Sequence, residues 1–421
     1  MELAYGLGHL SLELPPHNRL YSVESQPMGD VADVPAAVLE QLDRPVDHSA
    51  PLKERVRSGG RVVIVISDLT RAWIRNDLLL PPLLSYLNGC GIPDSDITVL
   101  VAIGTHRGHT DAELQELAGD DIFARVRVVD HDSHDEANLC FVGTTSRGTD
   151  VHLNRLAVEA DHVILVGGLV YHLMAGFGGG RKSVLPGIAG YRTVQANHGF
   201  LLSPDAIATM GSGKTVGNAL HEDMMEAAAL LNPAFLLNVI LSSQRGIGAV
   251  VGGNWDTAWE KGCAIIRQRY GVPLAARGDL VIASAGGFPT DINLYQSSKT
   301  LDNAFYAVED GGVIIVLAQC LEGGGSPEFF DWFQYDSLES MVAALAQGFT
   351  VPGYVAYHIR RIAAQYTAIL VSDLEPAVVR KTGLRPAASV DDAVRQAQEV
   401  QPTIDTLVLM PQGAVTLPVI P

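Results

Sequence analysis

Cysteine is scarce in this chain. Its 421 residues include four, Cys90, Cys140, Cys263 and Cys320, far apart and without a CxxC pair, so neither a disulfide framework nor a thiolate zinc site is expected. Positive charge is also short: 29 lysines and arginines stand against 47 acidic residues, a formal charge of -18. That balance argues against a nucleic-acid footprint or attraction to an anionic membrane surface. A small anionic substrate would need positive charge concentrated in a pocket. No stretch reaches the roughly 18 apolar residues of a membrane span. The opening segment, MELAYGLGHLSLELPPHN, lacks a basic region and a continuous apolar core, so no export signal is expected and the chain reads as cytoplasmic. Internal repeats and low-complexity tracts are missing too.

What is present is a 47% hydrophobic chain long enough to bury an ample core, more comfortably as two domains than as one. Short β-branched runs recur at 62–66, 97–103, 126–129, 163–166, 235–241, 280–283, 313–317, 369–371 and 407–410. Helical patterns separate them at 76–87, 111–118, 222–231, 255–270, 338–347 and 389–399. This alternation predicts an α/β fold of two domains, with mainly parallel sheets flanked by helices. A break at 271–277 marks a hinge between a first, catalytic and cofactor-binding domain at 1–270 and a second at 278–400. Residues 401–421 form a second hinge with a strand that could return to the first domain.

Chemistry in open α/β sheets sits beyond the carboxyl ends of the strands. The residues that follow the apolar runs are SDLTR at 67–71, GTHRGH at 104–109, DHDSHD at 130–135, GGLVYH at 167–172 and AGGFPTD at 285–291. Each has a bland explanation: Ser67-Asp68 as a helix cap, a lone His106 or His172 as a packing histidine, the 130–135 cluster as loop chemistry. Their coincidence at one sheet edge favours a site. The densest segment is AGFGGGRKS at 175–183, where three consecutive glycines suit a phosphate nest and Arg181 and Lys182 add charge for the same anion. GSGKT at 211–215 imitates the end of a phosphate-binding loop, but Ala208 stands where that motif requires glycine.

The run YHLMAGFGGGRKSVLPGIAGYRTVQANH at 171–198 closely resembles the lactate racemase family, supported by SDLTR, by GTHR at 104–107, by NALHEDMMEAA at 218–228 and by YQSSK at 295–299. The resemblance implies a nickel-pincer nucleotide, a pyridinium mononucleotide whose ring carbon and sulfur atoms grip nickel. Lys182 matches the lysine that can tether it, and His198 the histidine that ligates nickel. His106 and His172 match the acid/base pair. Arg71 and Lys299 match groups that hold the substrate carboxylate, with Asp68, Tyr295 and Gln296 as neighbours. Thr70, Gly178, Gly179, Gly180 and Arg181 would meet the nucleotide. The family's usual proline after SDxTR is Ala72 here.

The activity so implied is racemisation or epimerisation of a 2-hydroxy acid, such as lactate, malate or a sugar acid, through a 2-keto acid in the cleft between the domains. The implied partners are that acid and the enzymes that mature the cofactor. Hydride loss suits this substrate, because the C–H bond beside an ionised carboxylate is a poor proton acid, while an imidazole can take the hydroxyl proton near neutrality. Two other readings stand beside it: a noncatalytic protein that binds the nucleotide or a hydroxy acid, and a zinc hydrolase using His106, His109 and His131.

Overall fold

The computed structural model describes residues 1–244, 246–326 and 328–420. They form two compact units: one is continuous, Pro27–Arg267, and the other joins residues 1–26 to those from 268 onward.

The continuous unit is built on a six-stranded sheet in the order Ile247–Gly253, Phe235–Leu241, His162–Leu169, Val62–Ser67, Ile97–Ala102, Arg127–Asp130. All neighbours are parallel except the edge strand Ile247–Gly253, which returns antiparallel to Phe235–Leu241. The inner strands are mainly apolar because helices cover parallel sheets on both faces. Val62, Val63, Ile64, Val65 and Ile66 are all buried, and alternate residues Ile64 and Ile66 pack with Val99, Val101, Ile164 and Val166 against Leu79, Leu83 and Leu84 of the helix Asn76–Gly89. The chain runs from Val62–Ser67 outward through two strands on one side. It then crosses back to place His162–Leu169 on the other, so the order reverses between these two strands. Such a switch point opens a crevice beyond the strand ends.

The second unit carries another six-stranded sheet, ordered Arg385–Ala387, Thr367–Val371, Val308–Leu317, Gly278–Ser284, Thr406–Met410, Arg19–Ser22, parallel throughout. Its alternating side chains separate two cores. Val281, Ala283, Ile314 and Val316 join one, and Leu280, Ile282, Val313 and Ile315 the other.

The expected parallel α/β architecture is therefore present, but its partition differs from the expected one. Residues 1–26 belong with the later segment, because Arg19–Ser22 hydrogen-bonds along Thr406–Met410 and the hairpin of Glu2–Tyr5 and Gly8–Ser11 buries Leu3, with Leu12 just beyond it, in the core of Leu280 and Ile282. The tail does not return to the first domain. Thr406–Met410 pairs with Gly278–Ser284, and Leu417–Val419 pairs with Gly271–Pro273, which turns part of the expected hinge into a strand. Among the described residues no helix is long and apolar enough to cross a membrane.

Candidate active site

The strand Val62–Ser67 ends in a short 3-10 turn, Leu69–Ile74, that brings Asp68, Thr70 and Arg71 to the switch point. Asp68 is 3% exposed. Its Oδ2 accepts from His106 Nδ1 at 2.5 Å, and its Oδ1 accepts from Thr70 Oγ1 at 2.5 Å and from Arg71 Nη1 at 3.4 Å. Burial by itself pushes this carboxyl's pKa up, but the hydrogen bonds from His106 and Thr70 and the charge of Arg71 outweigh it, leaving the group below the usual carboxylate range. An ionised carboxylate only accepts, so the His106 proton sits on Nδ1 and the lone pair on Nε2. His106 is half-exposed and Arg71 somewhat less so. Arg71 Nη1 also donates to Thr70 Oγ1 at 2.9 Å, while its Nε and Nη2 make no hydrogen bond among the described residues. That edge of the guanidinium can receive a carboxylate in a two-point fork.

The next segment of the GTHRGH motif has other partners. Arg107 is exposed and paired with Glu113. His109, almost fully buried, is bonded at both ring nitrogens, Nδ1 to Asp130 Oδ1 at 2.8 Å and Nε2 to the Leu69 N–H at 3.2 Å. His131 is fully buried, with Nε2 against Ala189 O at 3.0 Å and Nδ1 against Asn154 Nδ2 at 3.1 Å. A zinc site from His106, His109 and His131 is thereby overturned, since two of the three have no nitrogen to give. Among the described residues no three His, Cys, Asp or Glu side chains are grouped to hold a metal.

The glycine-rich segment follows strand His162–Leu169. Gly179 and Gly180 take φ of +63° and +53°, and a Cβ on Gly180 would lie 2.6 Å from Trp259 Cδ1. In the segment expected to form a phosphate nest, the N–H groups of Gly178, Gly180 and Lys182 donate to Val170 O, Asn238 Oδ1 and Gly179 O, and the glycines permit close packing. The Arg181 side chain is engaged within the protein. It is 1% exposed, donating to His221 Nδ1 at 3.0 Å, Gly178 O at 3.2 Å and Ala175 O at 2.7 Å, with its guanidinium 4.2 Å above the Trp259 ring. Burial lowers its pKa to about 9. Among the described residues no carboxylate lies within ion-pair distance of it, so its charge acts on the loop from behind. His221, stacked on Trp259, is pushed down to about 3 by burial and then by Arg181.

Lys182 is enclosed. Burial first, then the charges of Arg71 and Arg181, hold its ammonium well below the ordinary lysine range, which favours a neutral amine. His198 ends the helix Tyr191–Gly199 and is 4% exposed. Its Nδ1 donates to Val194 O at 3.0 Å, which leaves the lone pair on Nε2, and burial above all pushes its pKa down to about 3. The neighbouring Asn197 anchors this helix by donating to Leu220 O and Asp223 Oδ2. His172 shows the opposite proton placement to His106, because its Nδ1 accepts the N–H groups of Met174 and Ala175, each at 3.2 Å, so the neutral ring carries its proton on Nε2.

In the second unit, Tyr295, Gln296 and Lys299 share the helix Leu294–Phe305, capped by Asn293. Lys299 Nζ donates to Gln296 Oε1 at 2.8 Å, and Tyr295 meets Phe329 edge-on. The structure thus joins Asp68, Thr70, Arg71 and His106 by direct contact and sets Lys182 within electrostatic reach of Arg71, Arg181 and His198. His221, Asn238, Trp259, His109 and Asp130 are supporting residues the sequence did not single out for these roles. The one signal for His221 was its place inside NALHEDMMEAA.

The Lactate racemase N-terminal domain model matches residues 5–209 and the Lactate racemase C-terminal domain model residues 274–418. The lactate racemase of Thermoanaerobacterium thermosaccharolyticum is 32% identical over 98% of this chain and 97% of its own length. That of Lactiplantibacillus plantarum is 33% identical over 89% of each. The structure of the Thermoanaerobacterium lactate racemase apoprotein superposes with a TM-score of 0.88 at 30% identity, covering 100% of this chain and 99% of the other. A Thermotoga maritima structure, 19% identical over 94% of this chain with a TM-score of 0.65, shares the fold. With both domain models matched and nearly the whole length aligned to these relatives, the chain belongs to the lactate racemase family.

Proposed function

We propose that this protein is a racemase or epimerase of a small 2-hydroxy acid such as lactate, malate or a sugar acid. The observation that carries the reading is the Asp68–His106 pair beside the unengaged edge of Arg71. A buried carboxylate fixes the tautomer of a half-exposed imidazole, so its lone pair is at Nε2, next to a guanidinium suited to a carboxylate. Arg71 would hold the substrate carboxylate and His106 would take the hydroxyl proton, with Asp68 stabilising the imidazolium that results. His172, whose proton lies on Nε2, would donate to the oxygen when the other enantiomer is made. The proposal also assigns Lys299, Gln296 and Tyr295 to the substrate.

A nickel-pincer nucleotide, when bound, would supply an electrophilic ring carbon able to accept hydride from the substrate's C–H bond. The residues present fit such a group. His198 directs Nδ1–H to a backbone carbonyl, the usual support for a metal-binding imidazole, and stays neutral in its buried position. Lys182, whose ammonium form burial disfavours, would supply the amine that acylation by the cofactor's carboxyl-derived group requires. Thr70 and Gly178 to Gly180 would line the nucleotide, Arg181 would favour its phosphate through charge, and the enzymes that build the cofactor would be partners.

The test is a panel of single-enantiomer 2-hydroxy acids, deuterated at C2, given to protein produced with the cofactor's maturation enzymes. Loss of optical purity with deuterium kept in the product is expected, and abolished by His106→Ala. Complete exchange of the label with water at each turnover would refute the hydride route. No turnover by loaded protein would instead favour the noncatalytic binding reading.

A further inference from the structure

Two strand-end loops meet at the Asp68–His106 pair, and a second tie joins them one peptide away. Leu69, next to Asp68, donates its N–H to His109 Nε2 at 3.2 Å. His109 is three residues past His106 and lies at the bottom of the same loop, with its side chain almost fully buried. For Nε2 to accept, the ring proton must be on Nδ1, and Asp130 enforces this. One carboxylate oxygen takes the Nδ1 proton at 2.8 Å and the other takes His109's own backbone N–H at 2.6 Å. Asp130 ends the strand Arg127–Asp130, hydrogen-bonded to Ile97–Ala102, from which the His106 loop departs. The result is a closed ring: Asp68 to His106 through side chains, His106 to His109 along the chain, and His109 back to the Leu69–Asp68 peptide.

The geometry points to His109, oriented by Asp130, as a positioning residue for the Asp68–His106 pair, an assignment that rests on the racemase reading. It would touch neither substrate nor cofactor. Its work is to fix the peptide that follows Asp68, and so the direction from which that carboxylate meets His106, at a scale where a displacement of about 1 Å can cost 100-fold in rate.

Two amide substitutions separate the ring's halves. The amide of Asn overlays the Nδ1 side of an imidazole and that of Gln the Nε2 side, so His109→Asn keeps a donor to Asp130 but loses the acceptor for Leu69, whereas His109→Gln keeps that acceptor. In cofactor-loaded protein, His109→Asn is expected to lose about tenfold or more in kcat with KM within about twofold of wild type, and His109→Gln to stay within about threefold in kcat. In cofactor-free protein labelled with 15N-histidine, the His106 Nδ1–H resonance, assigned by its loss in His106→Ala, should persist in the Gln variant and broaden or shift in the Asn variant. Equal behaviour of the two variants in both measurements, whether both like wild type or both defective, overturns the assignment. Inactivity of wild type with every hydroxy acid would count against the racemase reading alone, because the His106 resonance still decides the question.

Discussion

Replacing Asp68 by Asn tests the core of the proposed chemistry with almost no change in volume. The carboxylate accepts from His106 at 2.5 Å and from Thr70 at 2.5 Å, with Arg71 at 3.4 Å. A carboxamide lacks the charge that stabilises the imidazolium formed when His106 takes a proton. Hydrogen bonds to charged groups are worth about 1.5–3 kcal/mol, and each 1.4 kcal/mol or so is tenfold in rate, so kcat should fall by roughly 10- to 150-fold. If the Asn amide turns its NH2 toward His106, the ring proton moves to Nε2 and the base is lost, a change that costs about 10^4 in the serine-protease triad. The loss is therefore expected to lie between about tenfold and about 10^4. The assay is initial-rate racemisation from each enantiomer, followed by chiral chromatography, in samples matched for bound nickel and for thermal midpoint. A folded, fully loaded variant retaining more than about a third of the wild-type kcat would refute the reasoning.

Three further outcomes are expected. Arg71→Lys exchanges a two-point fork for a point charge and should raise KM about tenfold or more with a smaller effect on kcat, read from saturation curves; an unchanged KM would remove Arg71 from the substrate site. Gly180→Ala places a Cβ 2.6 Å from Trp259 in a left-handed conformation, which should destabilise by about 2–5 kcal/mol from overpacking and backbone strain together, measured by urea unfolding, with Trp259 emission as a local probe. His221 has a folded pKa of about 3 against 6.5 unfolded, so its contribution is complete above pH 6.5 and is lost as pH falls toward 3, amounting to about 2 kcal/mol at pH 5. His221→Asn, which keeps an acceptor for Arg181 on the Nδ1 side but cannot titrate, should lose about 2 kcal/mol less than wild type between pH 7 and 5; identical slopes would contradict this.

The inner strands were legible because a parallel sheet covered on both faces demands uninterrupted apolar residues, as in Val62 to Ile66. Ile247–Gly253 was not, since an edge strand reading IGAVVGG is diluted by glycine, and Arg19–Ser22 is a short, mostly exposed strand whose partner lies at the opposite end of the chain. The helix Leu294–Phe305 escaped periodicity because it buries Ser297, Ser298, Thr300, Asp302 and Asn303, polar residues that look like a solvated loop when read in a line. In the candidate site, residue types and positions were visible but hydrogen-bond direction was not. That Arg181 serves its own loop, and that His109 has both nitrogens engaged, depends on partners up to 40 residues away in sequence or on backbone groups that no motif displays.

The edge pairing of Arg19–Ser22 with Thr406–Met410 has a consequence for how the protein is made. The early strand leaves the ribosome about 380 residues before its neighbour exists, a wait of roughly 20–80 s at about 5–20 residues per second. During that interval the continuous unit ending at Arg267 can be completed, while the N-terminal hairpin and strand stay without a sheet to join. Nascent chains stopped after residue 267 should therefore hold a folded middle and a protease-sensitive beginning.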